Sequence, residues 1–170
     1  MSQAPKWLTH EGKIFLGAIS LAASALLLPG QIKAAPPASG TTMYFLGSSG
    51  SNLPVCASCQ YTFSASGNST AAITGNTFNV QLSPNVAIIA SELSVHVDTP
   101  PGIGRTRLFF LTIKGDAGGL RCAITGADDT CSSGAQTYPM PANSQILIEA
   151  ANINEAPTTL FQFSWRATVK

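Results

Sequence analysis

The sequence predicts an all-β chain, an antiparallel β-sandwich of jelly-roll-like form behind an N-terminal export signal. Three observations carry that reading. After Gly40 the apolar residues recur with period two, the signature of strands with one buried face. Turn residues interrupt these runs at short intervals: Ser83-Pro84-Asn85, Pro100-Pro101-Gly102, Gly115–Gly119 and Gly126–Asp129. Finally, only 10% of the 170 residues are charged while 45% are hydrophobic, which leaves Ser, Thr, Asn, Gln, Gly and Ala to cover the surface.

The N-terminal region comes first. Residues 1–13 carry Lys6 and Lys13 against Glu11, and Ile14–Leu28 is an unbroken run of apolar and small residues. Pro29-Gly30 ends it, and small residues follow. A charged start, a short apolar run and small residues at a cleavage point form a secretory signal peptide. It is expected over residues 1–34, with cleavage after Ala34 and Ala35 as the neighbouring option. The fifteen residues before Pro29 fall short of the roughly 17–25 needed to span a bilayer. Membrane attachment is therefore expected only if the signal stays uncleaved. Cleavage removes Lys6, Lys13, Lys33 and Glu11, leaving six basic and seven acidic residues. Such a balance excludes a basic nucleic-acid-binding face.

Residues 35–40, APPASG, read as a linker, and residues 41–170 as one domain with a single core. In order, the shorter strand candidates are Thr42–Leu46, Gln60–Ser64, Thr77–Leu82 and Gly119–Thr125. The longer ones alternate clearly. Ser91–Asp98 sets Leu93, Val95 and Val97 opposite Ser94, His96 and Asp98. Arg107–Lys114 sets Phe109, Leu111 and Ile113 opposite Phe110, Thr112 and Lys114, and Asn143–Ala150 sets Ile146 and Ile148 opposite Leu147 and Glu149. Leu160–Val169 puts Phe161, Phe163, Trp165, Ala167 and Val169 on one face, so these aromatics are expected in the core. Leu108 and Phe110, on the face opposite Phe109, are the candidates for exposed apolar contact and an oligomer interface.

Four cysteines offer the sharpest local motif. Cys56-Ala57-Ser58-Cys59 would suggest redox chemistry near a βαβ unit, but no such pattern is present, and export favours oxidation. Cys122 and Cys131 bracket a Gly126-containing turn and do not supply the second close pair that a zinc site wants. The expected pairing is Cys56–Cys59 and Cys122–Cys131, the latter across a hairpin where paired Cα atoms lie about 4.5 Å apart. Catalytic groups are sparse. His96 is the single histidine after the signal, beside Asp98, too few for a triad or a three-ligand metal site. Asp128-Asp129 reads as an acidic turn, Glu92 and Glu149 are not brought together by spacing, and Asn68-Ser69-Thr70 is a sequon relevant in a glycosylating host. No catalytic residue, metal or cofactor is expected.

The stretch from Val80 to Trp165 resembles a β-sandwich domain of bacteriophage virion proteins and secreted bacterial proteins. The resemblance rests on ASELSVHVDTPPGIGRTRLFFLTIKGD, the Cys-bearing LRCAITGADDTC, the PANSQILIEA strand and the aromatic FQFSW. It implies a jelly-roll used for appendages, decoration or surface binding, and no catalysis. The functional expectation is an exported, non-enzymatic structural or interaction module: cell-surface, secreted or virion-associated. The alternative is a carbohydrate-binding module, which requires an exposed aromatic in a groove or on a flat sheet face. Expected partners are copies of the same chain, as a trimer, and a surface glycan or another protein.

Overall fold

The computed structural model describes residues 35–70, 72–73 and 80–170. The expected signal peptide, and the first part of the Thr77–Leu82 strand, lie outside the described residues. Among the described residues twelve strands are formed: β1 (Thr42–Ser49), β2 (Gln60–Ser64), β3 (Gly67–Ser69), β4 (Ala72–Ile73), β5 (Gln81–Leu82), β6 (Ile88–Val97), β7 (Gly102–Ile113), β8 (Leu120–Gly126), β9 (Thr130–Ser132), β10 (Thr137–Met140), β11 (Gln145–Ile153) and β12 (Phe161–Val169).

They build two six-stranded sheets. The first runs β10-β6-β12-β1-β3, with β9 following β10's place along the edge of β6. The second runs β4-β2-β11-β7-β8, with β5 beside β11. Pairing is antiparallel except between β1 and β3. With the short β3, β4 and β5 set aside and β9/β10 counted as one edge, the eight remaining positions run 1-8-3-6 and 2-7-4-5. That order is a jelly roll: apart from the β7–β8 hairpin, successive positions alternate between the sheets in Greek-key fashion.

Alternation fills the space between the sheets. β12 supplies Phe161, Phe163, Trp165, Ala167 and Val169, all buried, as its periodicity predicts. Phe161 is the hub, meeting Phe63 edge-on at 4.7 Å and Phe109 at 5.1 Å. Trp165 donates Nε1–H to the Ala65 carbonyl at 2.7 Å and stacks on Phe45 at 4.2 Å. Burial of several large side chains at about 1.5–3 kcal/mol each is the main stabilising term. A bulge re-phases β6. Glu92 and Leu93 together face Trp165, because Ser91 pairs with Arg166 while Ser94 pairs with Ser164. The extra residue lets Ile88 and Ala90 face inward in one phase and Leu93, Val95 and Val97 in the other.

Both expected disulfides are present, Cys56–Cys59 and Cys122–Cys131. The geometry expected of the second is corrected. Cys122 lies on β8, paired with β7 in one sheet, and Cys131 on β9, paired with β6 in the other. The bond is thus an inter-sheet staple with Cα atoms 5.6 Å apart, not a cross-hairpin pair. The Gly126 turn fails to fold back into a hairpin because the chain crosses between sheets there.

Candidate functional site

The outer face of the first sheet carries a concavity lined by both polar and apolar residues. Its rows follow from register: His96 of β6 opposes Gln162 of β12, which opposes Ser48 of β1. In the next row Ser94 opposes Ser164, which opposes Leu46. These side chains point away from the core because their neighbours Val95, Val97, Phe161 and Phe163 point into it. Small serines interspersed with the longer Leu46, His96 and Gln162 leave a shallow trough of about 550 Å³. Gly47 and Gly67 form its far wall. A Cβ on Gly47 would overlap the Phe163 ring and lie 2.7 Å from the Gly67 carbonyl oxygen. Only glycine fits between that core ring and the neighbouring strand.

Two features make the trough available to a ligand. Among the described residues its lining has no carboxylate, lysine or arginine. Among the described residues, the side chains of Ser48, Ser94, His96, Gln162 and Ser164 make no hydrogen bond within the protein. Farther along the same face Tyr44 opposes Arg166. Arg166 is neutralised by Glu92 at 2.8 Å, and its Nε donates to Ser91 Oγ at 3.2 Å. Tyr44 and Leu46 are 69% and 70% exposed, two outward neighbours on one strand. The sequence placed Tyr44 in a strand without revealing its outward direction, because Phe45 beside it is equally aromatic.

The second sheet's outer face holds the residues singled out for contact. Leu108 and Phe110 are both half-buried rather than open, and they line a groove with Arg121, Ala123 and Gln136. Gln136 accepts from the Arg121 amide at 3.0 Å and donates to the Arg121 carbonyl at 3.2 Å. Glu149, opposite Phe110, accepts from Gln60 Nε2 at 2.6 Å, and burial pushes its carboxyl above the usual carboxylate range. Elsewhere Tyr138 donates to Asp116, which holds that carboxyl below its ordinary value; burial and this bond push the phenol up.

Other chemistry-bearing groups do not converge. Glu92 and Glu149 stand on the outer sides of different sheets. Asp128 and Asp129 occupy the exposed β8–β9 connection, and among the described residues no cluster of three metal-type ligands occurs. Sequence reasoning missed Arg107, which is fully buried. It donates to the Pro157 carbonyl and, at 3.5 Å, to Asn152 Oδ1, while its Nε has no partner. Burial lowers its pKa to about 10. Asn152 in turn donates to the Pro54 carbonyl at 2.6 Å, so the pair ties two loops to the sheet. The signal was in the alternation, since Arg107 shares parity with Phe109 and Leu111. No protein-family model matches the chain, and no curated protein matches it.

Proposed function

We propose that this is an exported, non-enzymatic interaction module that makes contact through the outer faces of its sandwich. The observation that carries it is the stripe of exposed Tyr44 and Leu46 beside a trough of unengaged polar side chains. Apolar side chains so exposed, next to hydrogen-bonding groups with no internal partner, are the composition of a contact surface. Two disulfides are compatible with an oxidising, extracytoplasmic setting. The jelly-roll strand order supports the likeness to virion and secreted β-sandwiches drawn from the sequence.

The test begins with the full chain expressed in a secreting host. The mature N-terminus should be Ala35 or Pro36, with no titratable thiol; cytoplasmic protein with four free thiols would reject export. Replacing Tyr44 and Leu46 by serine should abolish attachment of the exported protein to its host surface without changing its melting temperature. Unchanged attachment would reject the contact surface.

A second reading concerns self-association. The Leu108–Phe110–Ala123 groove, whose Gln136 side chain is already bonded to the Arg121 backbone, favours a largely apolar partner such as another copy of the chain. A trimer is the proposed assembly. Light scattering at micromolar concentration should give three times the chain mass, and Phe110→Ser should reduce it to one. A wild-type monomer would contradict the assembly.

A further inference from the structure

We propose that the trough on the first sheet is a binding site for a neutral oligosaccharide, with Tyr44 as the stacking platform and Gln162 and His96 as hydrogen-bonding groups. This deepens, and rests on, the reading of that face as a contact surface. The ligand class follows from what the trough offers and lacks. A phosphate, sulfated or sialylated ligand would require a cation, and the lining contains no lysine or arginine. The nearby Arg166 is already committed to Glu92 and Ser91. A cationic ligand would want a carboxylate, and none lines the trough. An apolar peptide would leave five polar side chains unpaired under it, at a cost for each buried group.

A pyranose meets each of these conditions. Its hydroxyls donate and accept at once, matching the serine hydroxyls, the Gln162 amide and the His96 imidazole. Its C–H faces are apolar and pack on an aromatic ring, and Tyr44 presents such a ring at 69% exposure with a polar tip. The site is shallow and open along the strands, which suits a chain of sugars lying across it rather than an enclosed monosaccharide. The exposed Leu46 between Tyr44 and Ser48 gives a further apolar patch for a second ring.

The protein purified after export of the full chain should be tested on an array of neutral and acidic oligosaccharides. Neutral glycans should bind, and Tyr44→Ala and Gln162→Ala should each weaken binding by about tenfold or more, whereas Tyr44→Phe should stay within about threefold. Lys114→Gln, in the distant β7–β8 turn, should bind as wild type. Circular dichroism and unchanged melting temperatures exclude misfolding, which is avoidable because both altered side chains are exposed. Binding of acidic glycans alone, or neutral binding indifferent to both substitutions, would overturn the assignment. A blank array with host-surface attachment still lost on Tyr44→Ala would overturn the glycan while keeping the contact surface. A blank array with attachment unaffected would overturn both.

Discussion

Arg107 links strand parity directly to stability. A guanidinium without a carboxylate partner is costly to bury, and here carbonyl and amide oxygens compensate. Arg107→Met should lower stability by about 1–3 kcal/mol, because the Pro157 carbonyl and Asn152 Oδ1 lose their donor. Denaturant titration measures it, and a neutral outcome would show that these bonds do not hold the loops. Gly47 acts by volume instead. Gly47→Ala should cost about 1–3 kcal/mol, because the added carbon overlaps the Phe163 ring. Equal unfolding midpoints for variant and wild type would refute that packing. Glu149 gives a pH dependence. Its raised folded pKa means the folded state binds the proton more tightly than the unfolded chain. The associated stability is present below the ordinary glutamate pKa and is lost as pH rises through the folded value. Glu149→Gln should therefore flatten the fall in melting temperature between acid and neutral pH. A variant with an undiminished slope would place the effect elsewhere.

At the scale of elements, the two disulfides should differ in consequence. Closing a loop with sequence separation 9 constrains the unfolded chain more than one with separation 3: about 2.5–3 against about 1.5–2 kcal/mol in the chain-entropy estimate. The longer one also joins the sheets. Cys122→Ala with Cys131→Ala should lower the melting temperature more than Cys56→Ala with Cys59→Ala, and the reverse order would contradict the staple. Strands with strong alternation were legible: β12 starts one residue from its expected position and β2 matches its expected bounds. The short β3, β4, β9 and β10 were not, since two to four residues carry too little periodicity and depend on the edges they join. Pairing of Cys122 with Cys131 was readable from locality. Its inter-sheet role was not, because a turn and a sheet-to-sheet crossing use the same Gly and Asp residues.

For the whole molecule, the sequence yielded the sandwich, but it pointed to Leu108 and Phe110 and overlooked the trough. Strand parity shows which residues share a face; it does not show which strands become neighbours. Ser48, Ser94 and Ser164 lie on three strands far apart in sequence, and only the order β6-β12-β1 assembles them. Their small size, inconspicuous along the chain, becomes a concavity once they are adjacent. The two outer faces differ in composition, the first carrying unbonded polar side chains and an exposed ring, the second a groove lined by Leu108, Phe110 and Ala123. Amide chemical-shift mapping separates the two faces most directly, using the exported protein and the neutral oligosaccharide that gives the strongest array signal. The predicted result is perturbation concentrated at Leu46, Ser48, Ser94, His96, Gln162 and Ser164, with Leu108, Phe110 and Arg121 unmoved. Perturbation centred on Leu108 and Phe110, or none at either face at saturating sugar, would contradict this division.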